Sequence, residues 1–197
     1  MNPPSSPSIL YLHGFRSSPA SWKIRQMGEA LAARGLGSRF DCPALSHVPQ
    51  EAIAQAEAII AARPGPVTLV GSSLGGYYAT WLAEKHGLRA ALINPAVVAP
   101  LSLHDYIGPQ TNLYSGEVFD FTAAHIEQLR ALEAPTITPE RYLLLVETGD
   151  EVLDYRQAVS RYAGCRQIVL DGGDHSFTRF ADYLPQILEF AQLRAGL

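Results

Sequence analysis

Cysteine is scarce in this chain: Cys42 and Cys165 stand far apart and form no Cys-x-x-Cys pattern. That argues against a disulfide framework or a thiolate metal site, and it suits two buried thiols in a reducing compartment, the cytoplasm. Positive charge is also thin. Lys and Arg total 15 against 19 Asp and Glu, for a formal charge of −4, and no basic run occurs. A nucleic-acid platform or a polybasic membrane face needs concentrated cations, so neither is expected. No stretch approaches about eighteen uninterrupted apolar residues, which argues against a membrane span. The opening MNPPSSPSIL lacks a basic n-region and a long apolar h-region, so no signal peptide is expected. No internal repeat is visible.

What is present is a hydrophobic fraction of 47% in 197 residues, enough for one domain (1–197) with a sizeable core. Short apolar runs read as buried strands at 8–13, 66–71, 89–94, 141–147 and 166–171, with a weaker one in 35–43. Helical patterns fall between them. In 17–35, Ser18 is a candidate N-cap, Pro19 suits the first turn and Gly35 the stop, while Ile24, Met27 and Leu31 share one face. Further helices are expected over 51–63, from Leu74 to about His86, over 154–163 and over 179–194. Strands that are apolar throughout and alternate with helices imply an α/β fold, a doubly wound, mostly parallel six-stranded sheet covered on both faces. Residues 99–136 are too long for an ordinary connection and carry Tyr106, Tyr114, Phe119 and Phe121, so a lid-like insertion is expected there.

The stretch VTLVGSSLGGYYAT (67–80) sets a strand directly against a helix through two serines. A nucleophile at such a turn needs small neighbours two residues away on either side. Ser73 has Gly71 and Gly75 there; Ser72 has the bulky Val70 and Leu74. Ser73 is therefore the candidate. The unpaired amide of Leu74, at the positive end of the helix dipole, can receive an oxyanion, and the amide of Phe15 in His13-Gly14-Phe15 is a second donor.

A serine hydroxyl needs a base and an orienting acid. His175, in the glycine-rich DGGDHSF after the last strand, falls at the same sheet edge. His86 ends the helix and should lie at the other edge, near the helix carboxyl end; His47, His104 and His125 suit surface roles; His13 suits organising its own loop. For the acid, Asp150 follows Gly149 in the turn after a strand, with Asp154 (a candidate helix cap) and Glu151 as alternatives. The order Ser73, Asp150, His175 is that of serine hydrolases on this architecture. Trp22, Tyr77, Tyr78 and Trp81 read chiefly as packing residues, and at most one of the two tyrosines can face a pocket.

ILYLHGF, VGSSLGGYYATWLA, INPAV, TGDEVLDYRQA and CRQIVLDGGDHSF together resemble the small bacterial α/β-hydrolase esterases of the YqiA type, as do DYIG and NLYSG in the insertion. The resemblance spans nearly the whole chain. It implies an α/β-hydrolase fold without the first two strands of the eight-stranded sheet, with Ser73 as nucleophile, Asp150 as acid and His175 as base. It also implies activity on short acyl esters and acyl-CoA thioesters. One departure is Asp174, where that family often carries asparagine; a carboxylate there would raise the pKa of His175. The expected chemistry is acyl transfer to water with no cofactor and no metal. A peptidase or carbon–carbon hydrolase with the same triad, or a binding protein on this fold, are the alternatives.

Overall fold

The structure, a computed structural model, describes residues 6–193. Strands β1 (Ser8–Leu12), β2 (Phe40–Asp41), β3 (Val67–Ser72), β4 (Arg89–Ile93), β7 (Tyr142–Glu147) and β8 (Arg166–Leu170) form one sheet in the order β2-β1-β3-β4-β7-β8. All five pairings are parallel. Every residue of β1, β3 and β7 is buried, because helices cover both sides of these strands. Side chains alternate between the two layers. In β1, Ile9 and Tyr11 pack with α1 (Trp22–Ala32) and α7 (Phe180–Phe190), whereas Leu10 and Leu12 pack with α2 (Pro49–Ala62), α3 (Leu74–His86), α5 (Ala123–Ala131) and α6 (Tyr155–Arg161). Leu12 lies opposite Gly71, Ser72 opposite Ile93, and Glu147 opposite Leu170, so the strands release their chains at a common edge.

All six expected strands are in the sheet, which is parallel throughout. Two local expectations need correction. Helix α1 begins at Trp22, not after Ser18: the Ser18 hydroxyl accepts from the Ala20 amide and holds residues 18–21 in a turn ahead of the helix. The strand expected in 35–43 is only two residues long. Within 99–136, after the short α4 (Ala99–Ser102), the chain forms the antiparallel hairpin β5 (Gly108–Thr111) and β6 (Val118–Phe121), then α5. Hairpin strands of four residues, largely exposed, leave no apolar run to read.

Leu69 is fully buried in β3, among side chains of the larger core layer. Leu69→Ala is expected to cost about 2–5 kcal/mol. Urea unfolding at unchanged slope measures it, and a loss below about 1 kcal/mol would contradict a close-packed core at that strand.

Candidate active site

Ser73 is the single residue between β3 and α3, with φ 54° and ψ −122°. A side-chain-bearing residue pays for that conformation in steric strain, and the fold holds it there. The Ser73 amide donates to the Ile93 carbonyl at 3.1 Å, across to the next strand. The backbone of α3 then passes so close beneath that a Cβ on Gly71 would collide with the Gly75 carbonyl, and one on Gly75 with the Leu12 carbonyl. The spacing rule that selected Ser73 over Ser72 thus has a direct steric origin. The loop after β1 passes close by: a Cβ on Gly14 would stand 3.1 Å from Ser73 Cβ. This brings the chain at Phe15 beside the start of α3, where Leu74 carries a first-turn amide with no intrahelical acceptor.

The Ser73 Oγ lies 3.1 Å from His175 Nε2, and His175 Nδ1 lies 2.8 Å from Asp150 Oδ2 and 3.0 Å from Oδ1. The structure therefore brings together the three side chains that the sequence singled out. Asp150 Oδ1 also accepts from the amides of Val152 and Leu153, which locks the carboxylate, and its side chain is almost fully buried. With Asp150 accepting from Nδ1–H, the Nε2 lone pair faces the serine hydroxyl. The alternatives to Asp150 are engaged elsewhere. Asp154 caps α6 by accepting from the Arg156 amide, as expected of it. Glu151 accepts from the His175 backbone amide at 2.9 Å, and that bond holds its carboxyl below the usual range.

Residues the sequence did not single out position the histidine loop. Asn94, in the left-handed region at φ 40°, directly follows β4. Its side-chain carbonyl accepts from the Glu147 amide, and its side-chain nitrogen donates to the carbonyls of Asp174 and His175. Glu147 is fully buried at the end of β7; it accepts from Arg179 Nε at 2.6 Å and from the Asp174 amide at 2.8 Å. One asparagine and the pair of the buried Glu147 with the partly exposed Arg179 thereby tie β4, β7 and the His175 loop into a unit. A hint lay in the polar Asn94 and Glu147 ending apolar runs, but their partners are 27 to 81 residues distant.

The other histidines sort as follows. His13 Nε2 accepts from the Leu45 amide at 3.0 Å, and Nδ1 stands 3.0 Å from the Gly14 carbonyl. Burial lowers its pKa, so it remains a neutral brace of its loop. His86 bonds Glu57 of α2 at 2.6 Å, not the helix carboxyl end, and His104 is exposed. His125 departs from a surface role. It is buried in the first turn of α5, where its Nδ1 accepts from the Thr122 amide in a capping box, and its ring lies 5.4 Å from Phe121. Cys42 and Cys165 are free and only half-buried, with thiols pushed up by burial to about 12 and about 11.

Two cavities flank the loop at Gly14 and Phe15. One, of about 160 Å³, is lined by Ser73 and His175. The other, of about 370 Å³, is lined by Phe15, Leu45, Leu74, Tyr78 and Phe119. Tyr78 faces the larger cavity, whereas the Tyr77 hydroxyl donates to the Leu129 carbonyl on the far side of α3. The insertion leans on this loop: the Leu113 amide donates to the Arg16 carbonyl, Asn112 Nδ2 donates to the Ser17 carbonyl, and Phe15 makes edge contacts with Tyr106, Phe119 and Phe121. Among the described residues no cluster of three His, Cys, Asp or Glu side chains could hold a metal, and no helix is long and apolar enough to cross a membrane.

The backbone superposes on solved α/β-hydrolase structures. Mouse alpha/beta hydrolase domain-containing protein 10 matches 96% of this chain and 91% of its own at TM-score 0.73 and 18% identity. The esterase domain of a Rhodothermus marinus protein matches 99% and 90% at TM-score 0.69 and 18% identity. A UPF0227 protein of Shewanella sediminis (strain HAW-EB3) is 26% identical over 198 residues, 93% of this chain and 99% of that one. The model of the uncharacterised protein family UPF0227 matches residues 8–192, in agreement with the resemblance carried by the motifs. The chain is a member of the UPF0227 family and has an α/β-hydrolase fold.

Proposed function

We propose that this chain is a serine esterase, hydrolysing carboxylic esters, acyl-CoA thioesters or both, through an acyl-enzyme on Ser73. The observation that carries the reading is the continuous relay from Ser73 Oγ through the His175 ring to Asp150, with contacts of 3.1 and 2.8 Å. The esterase name of the Rhodothermus neighbour points the same way.

The hydroxyl proton of Ser73 passes to His175 Nε2 as Oγ bonds to the substrate carbonyl carbon. The carbonyl oxygen becomes an oxyanion facing the amides of Phe15 and Leu74, at the positive end of α3. Asp150 keeps the imidazole in the required tautomer and stabilises the imidazolium. Collapse breaks the bond to the leaving alcohol or thiol, which takes the proton from Nε2. Water then attacks the acyl carbon, giving its proton to Nε2, and the second collapse returns that proton to Ser73 Oγ and frees the acid. The apolar wall of the larger cavity suits the acyl group, and segment 99–136 acts as its cover through Phe119. The free thiols suit the cytoplasm.

Ser73→Ala is expected to abolish acyl-enzyme formation and fluorophosphonate labelling and to lower kcat on a p-nitrophenyl ester by on the order of a million-fold; full turnover by this variant would sink the reading. Asp150→Asn should leave the protein folded, by far-ultraviolet circular dichroism, yet lower kcat on the order of thousands-fold, through loss of the tautomer preference. Steady-state kinetics with the same ester read that loss, and a change under about tenfold would remove Asp150 from the mechanism.

A further inference from the structure

The smaller cavity, which holds Ser73 and His175, also has Lys23 in its wall. No other permanently charged residue lines it: among the described residues of that wall there is no Asp, Glu or Arg. Lys23 lies in the first turn of α1, and its Nζ donates to the Ser176 carbonyl at 2.7 Å, one residue beyond the proposed base. Its other neighbour of note is the Trp22 ring, 5.8 Å from Nζ to the ring centre.

Among the described residues the ammonium forms no ion pair, although Asp174, whose Oδ1 is buried without a hydrogen-bond partner, is the carboxylate that acts on it most. Burial pushes the ammonium down to about 8, outweighing the opposing pull of Asp174, Glu147 and Asp150. A lysine in direct contact with a carboxylate would be moved the other way. Asp150 is held by His175 and Glu147 by Arg179, while Asp174 forms no ion pair with Nζ. The Tyr11 hydroxyl, in a side chain 1% exposed, lines the same cavity and is bonded to Ser72, a further lining residue. An ammonium carries three N–H donors, and those not taken by the Ser176 carbonyl are costly in a desolvated wall unless a ligand supplies acceptors.

Resting on the esterase reading, the position of Lys23 fixes which part of the substrate it meets. His175 hands its proton to the leaving group, so the leaving group lies on the flank of the His175 ring, where Lys23 is bonded to Ser176. We propose that Lys23 determines specificity for esters whose leaving group carries a carboxylate or phosphate close to the scissile bond. The phosphates of a CoA leaving group stand a whole pantetheine arm from its sulfur, so the cavity favours small anionic alcohols over that carrier.

The test compares kcat/KM for 3-acetoxybenzoate, its methyl ester and 3-acetoxyphenyl phosphate, in the wild type, Lys23→Gln and Lys23→Arg. Lys23→Gln is expected to lose about tenfold on an anionic ester while holding the methyl ester within about twofold, and Lys23→Arg to retain most of the preference. Which of the two anionic esters responds identifies carboxylate or phosphate. The methyl ester serves as the internal check that each variant is folded. An equal loss on all three esters would make Lys23 a mere brace of the histidine loop and overturn the proposal, as would no change on any. If the wild type hydrolyses none of the three, the esterase reading itself fails and this proposal falls with it.

Discussion

The constraint on which the rest depends is the turn at Ser73, where a strand becomes a helix with one residue between them. Its positive φ is a strain of roughly 1–3 kcal/mol, sustained only because the surroundings leave no alternative. The Ile93 carbonyl holds the Ser73 amide from one side, and the backbones at Gly71, Gly75 and Leu12 close in from the other. Relaxing the turn would require β1, β3 and α3 to part, and those elements share the core. A hydroxyl is thereby presented at the sheet edge together with the first amides of a helix. The proposed nucleophile and the proposed oxyanion donors are placed by one backbone geometry.

A parallel sheet supplies the rest of the site by directing every strand end to the same edge. What the sheet does not supply is precision, since a loop leaving a strand can point in many directions. Here Asn94 bridges the end of β7 and the His175 loop, while the buried Glu147 pairs with Arg179 and takes the Asp174 amide. With Arg179 partly exposed the pair is weak evidence for stability, but its hydrogen bonds are demanding in geometry. In this fold it holds the loop that carries the imidazole.

Legibility in the sequence followed range of interaction. Five strands were plain because burial on both faces makes a continuous apolar run, and Ser73 was plain because Gly71 and Gly75 lie two residues away. Asp150 and His175 were found from the turns that follow strands, and the structure sets them within hydrogen-bond reach. The start of α1 was misplaced because the Ser18 hydroxyl makes a local turn that imitates a helix cap. The β5–β6 hairpin was missed because strands of four residues, exposed at alternate positions, are too short to establish a period, and the burial of His125 because it depends on Thr122, Phe121 and His47 meeting in the insertion.

The sequence by itself determined the class of fold, the strand ends that bear reactive groups, and the identity of the serine, because hydrophobic period and steric spacing act over a few residues. Only the tertiary structure decided the remaining matters: that Asp150 rather than Glu151 or Asp154 faces the imidazole, that Asn94 and Glu147 anchor its loop, and that Lys23 enters the cavity of Ser73. Each of those is a contact between distant parts of the chain, and its existence depends on how helices pack and loops turn after the sheet has formed.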